Sequence, residues 1–310
     1  MKAISILKKY ITSSDYRFFV HYKLNLHKNT TDEVFLTRRF HEITGKVLDL
    51  DDPRSFNEKL QWLKLNDRNP RYTQLVDKYA VREIIAREIG EEYLIPLVGG
   101  PWDSFEEIDF NLLPDQFVLK CTHDSGGVVI CKDKKKLDIN AARKKLTKAL
   151  GRDYYQISKE WPYKNVPHKI IAEAYMVDES GTELKDYKLM CFSGRVKCSF
   201  ICSDRFTEKG LHVTFFDREW NVMPFERCYP SYKEGLPKPK SYEEMMVLAE
   251  KLSEGIPFVR VDFYDINGKI YFGEITFYPG SGYETFSPEE WDYTLGSWIE
   301  LPLENKISEG

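Results

Sequence analysis

The stretch RVDFYDINGKIYFGE, from Arg260 to Glu274, constrains the fold more than any other part of the chain. Its aromatic and β-branched residues flank Asn267-Gly268, which reads as strand, turn and strand with at least one buried face. Yet Arg260, Asp262 and Glu274 stand among those residues, and charges are seldom buried unless they are paired or hold an ion. Side chains alternate along a strand, so Arg260 and Asp262 share a face, and Glu274 shares one with Phe272 and Thr276. Whether the two sets coincide depends on the loop. A two-residue Asn267-Gly268 turn pairs Asp262 with Gly273 and sends Glu274 to the opposite side. An odd-length loop brings Arg260, Asp262, Glu274 and Thr276 together. DINGK carries Asp at the first position of a type I turn and Gly at the fourth, which predicts a three-residue loop with a bulge and both carboxylates beside the arginine. Such a pair repels unless a cation separates it, and Mg²⁺ takes one or two protein carboxylates while water and phosphate complete its shell. The alternative is an Arg260–Asp262 bridge with Glu274 solvated.

Phosphate-bound magnesium needs a phosphate cradle, and FVLKCTHDSGG supplies a candidate. Lys120 ends an apolar strand, and Ser125, Gly126 and Gly127 can turn successive backbone N–H groups toward an anion. His123 stands in the same loop as a donor or a bystander. Lys78, near the start of DKYAVREIIAREIG, is either a second phosphate ligand or a solvated lysine of a first helical turn. The chain lacks G-x-x-x-x-G-K-[ST], G-x-G-x-x-G, H-R-D and G-x-S-x-G, which argues against P-loop, dinucleotide-fold, protein-kinase and serine-hydrolase chemistry.

The rest of the chain reads as α+β. Residues 1–75 are mostly helical, with Ser55 and Glu58 forming a capping box before Leu60, Trp62, Leu63 and Leu65. A helix from Asp77 places Val81, Ile84, Ile85 and Ile89 on one face. DQFVLKC and GGVVICK form a hairpin, AARKKLTKAL is a helix capped by Asp138 or Asn140, and KIIAEAYMV is a buried strand. A second hairpin turns on Ser193-Gly194, a third lies in HVTFFDREWNVMPF, and SYEEMMVLAEKLSEG is a helix before the opening stretch. Asp153 to Pro167, polar and aromatic without periodicity, is expected to be a mobile cover.

Composition excludes little but excludes it usefully. With 45 basic and 49 acidic residues among 310, the whole chain makes no case for nucleic acid. Lys2 to Lys28 carries six basic residues against Asp15 alone, interleaved with Tyr10, Tyr16, Phe18, Phe19 and Tyr22. It reads as a helix packing its aromatic face on the body or as a basic arm on the anionic inner face of a membrane. No apolar run is long enough to span a bilayer and the start lacks a signal-peptide core. Six cysteines without a C-x-x-C pair indicate reduced core thiols and a cytoplasmic protein.

Taken in order, VDKYAVREI, FVLKCTHDSGG, IIAEAYM, YKLMCFSGRV and RVDFYDINGKIYFGEITFYPGSG resemble the ATP-grasp enzymes. Within them, the chain is similar to the TupA-like branch of bacterial surface-polysaccharide clusters, from Ser55 to Leu301. The resemblance implies two α+β lobes clasping ATP and Mg²⁺, two ions in all. It divides the chain into a helical region (1–75), a central-lobe segment (76–115), a small lobe with the phosphate loop (116–180) and a large lobe with metal and acceptor sites (181–310). Lys78 and Lys120 would reach the nucleotide, and the loop of His123, Ser125, Gly126 and Gly127 would close over its phosphates. Glu173, Ala174, Tyr175 and Met176 would lie beside adenine, and Asp186 and Lys188 near ribose, phosphates or substrate. Asp262 and Glu274 match the metal carboxylates, Glu274 bridging both ions, and Arg260 the arginine that steadies the transferred phosphoryl group. Thr276 stands where the D-alanine ligases carry a metal-ligating Asn. Gly280, Ser281 and Gly282 would line the acceptor site. The implied activity is a carboxylate–amine ligase acting through an acyl phosphate. Its implied substrates are an amino acid or small amine with a hexuronic acid, or acidic amino acids in a glycan-linked peptide. A phosphotransferase acting on a hydroxyl, or a non-catalytic or glycosyltransferase-like role in polysaccharide assembly, are the alternatives.

Overall fold

The computed structural model describes residues 10–12, 14–23, 30–177, 184–204 and 207–302. Most of the expected basic arm, including Lys2, Lys8, Lys9 and Lys28, lies outside the described residues. Among them, helix α1 (Ser14–Lys23) meets α2 (Asp32–Thr44) through Phe18, whose ring lies edge-on to Phe35 at 5.7 Å. The expected capping box opens α3 (Phe56–Asn66): Ser55 Oγ accepts from Glu58 N–H and Glu58 accepts from Ser55 N–H. This helix belongs to the body of the protein, because Phe56 packs edge-on against Phe258 at 4.9 Å. Two short helices follow, α4 (Arg71–Val76) and α5 (Val81–Glu88). The second starts at Val81 because Asp77 is spent on the preceding turn, accepting from Tyr79 and Ala80 N–H at 2.8 and 3.2 Å.

A first antiparallel sheet comprises β1 (Leu97–Trp102), β2 (Phe117–Cys121), β3 (Val128–Cys131) and β4 (Ile170–Ala174) in the order β1-β4-β2-β3. Residues from Leu97 onward, placed by the sequence in a segment before this sheet, supply its edge strand by pairing with β4. Without β1 as edge partner, the outer flank of buried β4 would lose its ladder. Helix α6 (Ile139–Leu150), capped by Asp138, buries Ala142, Leu146 and Ala149 against Phe117, Leu119 and Ala172. The next segment, expected to be a mobile cover, is fastened: α7 (Tyr154–Ser158) sends Tyr155 Oη to Asp32 at 2.5 Å, and buried Lys159 lies 3.6 Å from the same carboxylate.

The larger sheet is built from β5 (Asp186–Phe192), β6 (Arg195–Ser203), β7 (His212–Phe216), β9 (Phe258–Ile266) and β10 (Lys269–Thr276), ordered β10-β9-β5-β6-β7 and antiparallel throughout. A two-stranded ladder, β8 (Glu226–Arg227) with β11 (Phe286–Ser287), stands apart from it. The expected hairpin after His212 is thus reduced to a bridge between Phe216 and Val222. Helix α8 (Tyr242–Leu252) packs behind β5, β6 and β9, joining Val259, Val261 and Phe263 in the main core, and α9 (Glu290–Ser297) packs on α3. All six cysteines are free thiols. No described helix is long and apolar enough to cross a membrane.

The β9–β10 connection differs from the expected loop. Ile266 pairs with Lys269, leaving a two-residue turn in which Asn267 and Gly268 both take positive φ, 56° and 84°. That is the mirror-image turn that matches strand twist. The extra residue sits instead inside β10: the register runs from Phe272↔Phe263 to Glu274↔Asp262, so Gly273 is a bulge. A Cβ at Gly273 would lie 3.0 Å from Asp262 O, so glycine permits the close approach. The expected pairing of both carboxylates is met by a strand bulge and not by an odd-length loop. Gly268→Val is expected to lower the unfolding free energy by about 1–2 kcal/mol in urea titration; an unchanged midpoint would contradict the left-handed turn.

Candidate active site

The bulge assembles one charged face on the larger sheet. Asp262 pairs directly with Glu274 on one side and Lys188 on the other, and alternation adds Arg260 and Asp186 to the same face. Arg260 grips Asp262 with two bonds, Nε to Oδ1 at 2.7 Å and Nη2 to Oδ2 at 2.8 Å, and gives a third to Glu274 Oε1 at 2.7 Å. Lys188 donates to Asp262 Oδ2 at 2.5 Å and also to Asp186. Thr276 Oγ1 donates to Glu274 Oε1 at 3.3 Å. Burial would push Glu274 up, but Arg260, Lys188 and Lys78 outweigh it and pull the carboxyl down to about 2. Burial likewise opposes protonation of Lys188, yet Asp262, with Asp186 and Glu274 adding to it, raises its pKa overall.

Beside this set lies a cleft, partly open to solvent, lined by Lys78, Lys120, Arg82 and Glu173. Glu274 and Tyr163 line the same cleft. Lys120 donates to Glu173 Oε2 at 2.6 Å, and Arg82 reaches Glu173 Oε1 at 3.4 Å. Glu173, expected to read a base, is therefore held by two cations across β4 in this state. Lys78 donates to Asp124 O at 2.9 Å, and burial lowers its pKa despite the opposing pull of Glu274. Lys78, in the turn before α5, and Arg82, in its first turn, both line the cleft with Val81. Ala174 ends β4 with its N–H given to Pro96 O at 2.9 Å, and Tyr175 and Met176 follow it.

The phosphate loop is closed on itself. Asp124, fully buried, accepts from Gly126 N–H at 3.0 Å and from Arg152 at 2.9 and 3.1 Å. Gly127 is packed where a Cβ would meet Ala149 and Cys121 at 2.8 Å, so only Ser125 and Gly126 are exposed. The Gly126 amide, expected to face an anion, is thus taken by Asp124. His123, expected as a phosphate donor, is turned inward: Nε2 lies 3.2 Å from Ala149 O and the ring stacks on His168 at 3.6 Å. Burial, with His168 beside it, pushes its pKa down to about 4 and keeps the ring neutral. Its place under the loop is structural.

Gly280, Ser281 and Gly282 form a tight turn with three successive positive φ values of 55°, 54° and 67°. Serine does not adopt that conformation without support, and α3 provides it. Gln61 Nε2 donates to Ser281 O and Gly282 O at 3.0 and 2.8 Å. Lys64, 1 % exposed, donates to Ser281 O at 2.9 Å, Ser158 O at 3.2 Å and Gln61 Oε1 at 3.1 Å. Buried Glu160 accepts from Ser281 Oγ at 2.5 Å. Sequence reasoning missed Lys64 and Glu160. The one signal was that Lys64 falls on the helix between the apolar positions Leu63 and Leu65.

The donor set admits a divalent cation. Three carboxylates, Asp186, Asp262 and Glu274, face two cations, Arg260 and Lys188, which leaves one negative charge in excess. The buried Asp186 Oδ1 has no hydrogen-bond partner. Among the described residues no three His, Cys, Asp or Glu side chains are grouped to hold an ion. A metal here would be held by Asp262 and Glu274, with water and phosphate as its other ligands, as suits Mg²⁺.

Comparison with known proteins bears on this arrangement. Residues 58–300 match the family described as TupA-like ATPgrasp. A search of curated proteins found no match. Among solved structures, the chain is similar to N5-carboxyaminoimidazole synthetase from Staphylococcus aureus, with 15% identity and a TM-score of 0.39 over 66% of this chain and 44% of that one. D-alanine–D-alanine ligase from Bacillus anthracis complexed with ATP gives 15% and 0.37 over 65% and 53%. The ATP-grasp ligase PsnB complexed with minimal precursor, Mg and ADP gives 10% and 0.38 over 81% and 64%. The chain spans roughly half the length of the first two.

The buried lysine generates a prediction. Burial pushes Lys64 down to about 8 from its ordinary 10.5, with Glu160 opposing. As pH falls from 10.5 to 8 the unfolded chain gains a proton that the folded chain resists, so folding loses stability, and below pH 8 the loss is complete. Wild-type stability minus that of Lys64→Met, from urea titrations, is therefore expected to rise between pH 8 and 10.5. A flat difference would contradict the buried, destabilised charge.

Proposed function

Because this chain belongs to the TupA-like ATP-grasp family, we propose that it is an ATP- and Mg²⁺-dependent ligase joining a carboxylate to an amine through an acyl phosphate. The observation that carries the reading is that Lys78 and Lys120 line one cleft with Glu274, whose carboxylate Arg260 joins to Asp262. Lysines and a carboxylate in one cleft suit a nucleotide triphosphate with its metal, which needs both.

In this reading Asp262 and Glu274 hold the metal, with the Thr276 hydroxyl beside Glu274 in place of an amide ligand. Bound magnesium neutralises charge on the transferring phosphoryl group. Lys78 and Lys120 hold phosphate oxygens; Lys120 leaves Glu173, which frees that carboxylate and the following Ala174–Met176 backbone for the base. Ser125 and Gly126, at the exposed loop tip, cover the phosphates. Arg260, which bridges Asp262 and Glu274, would turn toward the oxyanion as it develops. Asp186 orients Lys188, and Lys188 orients Asp262. A substrate carboxylate oxygen attacks the γ-phosphorus and ADP departs. The amine then attacks the acyl carbon, the C–O bond to phosphate breaks, and an amide, inorganic phosphate and a proton result. No protein nucleophile is needed. Gly280, Ser281 and Gly282 bound the acceptor side. The substrates favoured are a hexuronic acid with an amino acid or small amine, used in surface-polysaccharide assembly by a cytoplasmic, membrane-peripheral enzyme.

The test is release of ADP and phosphate with pooled uronic acids and amino acids, followed by mass spectrometry of the product. Both are expected only when a carboxylate and an amine are present together, the product weighing their sum less water. ADP formation that needs a hydroxyl acceptor and ignores every carboxylate would contradict the ligase and indicate a phosphotransferase. Glu274→Gln is expected to lower kcat about 100-fold or more, and Lys120→Ala to weaken ATP binding by about 10-fold or more. Unchanged turnover in the first would sink the metal assignment.

A further inference from the structure

One buried arginine lies outside the machinery described so far. Arg227, on β8, is 7 % exposed, and its guanidinium lies 4.1 Å from the ring centre of Phe200 and 5.3 Å from that of Phe215. Phe200 is the register partner of Lys188, so its ring rises from the charged face itself. Arg260 lies 5.8 Å from the same ring. Two arginines therefore meet at one aromatic ring.

The only opposite charge at Arg227 among its recorded contacts is Glu284, with Nη1 to Oε2 at 3.1 Å. The two are poorly aligned: both atoms are buried and neither completes a hydrogen bond. Ser231 Oγ, four residues along the chain from Arg227, is also buried without a partner. A buried ion pair with unfilled hydrogen-bonding capacity is costly, and a ligand that supplies the missing groups removes the cost. Glu284 is fixed in place by α3, since Asn57 bonds its backbone N–H and C=O at 3.1 and 2.7 Å. It also lies against the acceptor loop: a Cβ at Gly280 would come within 2.2 Å of Glu284 Cγ.

We propose that Arg227 and Glu284 form the subsite for the amine substrate, and that this substrate is an α-amino acid. The guanidinium takes the α-carboxylate in a bidentate pair, and Glu284 faces the ammonium beside the Gly280–Gly282 turn. The carboxylate that is activated must lie at the phosphoryl end, by Arg260 and Glu274. A second arginine across the Phe200 ring addresses a carboxylate that survives the reaction. The assignment to the amine substrate rests on the ligase reading; the recognition of an α-amino acid by Arg227 does not.

The experiment is calorimetric titration of α-amino acids, each with its decarboxylated amine, into the full chain with MgADP: alanine with ethylamine, serine with ethanolamine, lysine with cadaverine. ADP and phosphate release is measured on the same proteins. At least one amino acid is expected to bind about 10-fold or more tighter than its amine. Arg227→Met should erase that preference, Arg227→Lys should restore part of it, and Glu284→Gln should weaken amino acids more than the matched carboxylic acid, such as propionate for alanine. All three variants should keep wild-type ADP affinity, which separates a lost subsite from a lost fold. No preference for any amino acid, or a preference that survives Arg227→Met, overturns the proposal. Amine-dependent phosphate release without that preference overturns it while leaving the ligase intact. The preference without amine-dependent release keeps the subsite and removes the ligase.

Discussion

Arg260, wedged between Asp262 and Glu274, is the contact on which the rest of the structure depends. It exists because Gly273 inserts one residue into β10 and turns Glu274 from the α8 side to the charged side. Without that insertion, Glu274 would lie on the face of Val261 and Phe263, where an unpaired carboxylate costs several kcal/mol. With it, two carboxylates sit opposite each other and an arginine is required between them. A single glycine thus converts an apolar hairpin into one with a functional face.

The charge arrangement on the two walls follows from this contact. One wall carries an excess of carboxylate, with Asp186 Oδ1 unpartnered; the other carries Lys78, Arg82 and Lys120 against Glu173. In the state described, each wall neutralises itself as far as it can, Lys120 with Glu173 and Arg260 with Asp262. Under the proposed function, a metal-bound triphosphate would exchange these internal pairs for pairs with the ligand, Lys120 leaving Glu173. At the Gly280–Gly282 turn, Lys64 of α3 and buried Glu160 hold three left-handed residues in place. The helical N-terminal part is therefore built into the site rather than appended to it.

Much of this was legible in the chain, and the failures have physical causes. The charges in RVDFYDINGKIYFGE announced a shared charged face because charges among core residues need partners, and the α+β character followed from alternating hairpins and single helices. The turn was misread because DINGK suits two turn types, and the bulge that sets the register lies six residues away at a glycine that looked like ordinary strand punctuation. Gly126 and His123 were assigned to an anion on loop chemistry alone. The competing carboxylate of Asp124 and the packing partner His168 are adjacent in the fold, although neither adjacency shows in a local pattern. Lys64, Glu160 and Arg227 were invisible for the same reason. Each is charged at a position whose burial comes from distant segments.

The account turns on whether Asp262 and Glu274 hold a metal together with a nucleotide. Electron paramagnetic resonance of Mn²⁺, used as a magnesium substitute, measures this directly on the intact chain with and without a non-hydrolysable ATP analogue. The account predicts Mn²⁺ bound tightly only when the analogue is present, with that binding lost in Asp262→Asn and retained in His123→Gln. Mn²⁺ bound equally by the wild type and Asp262→Asn, or binding indifferent to the nucleotide, would contradict it.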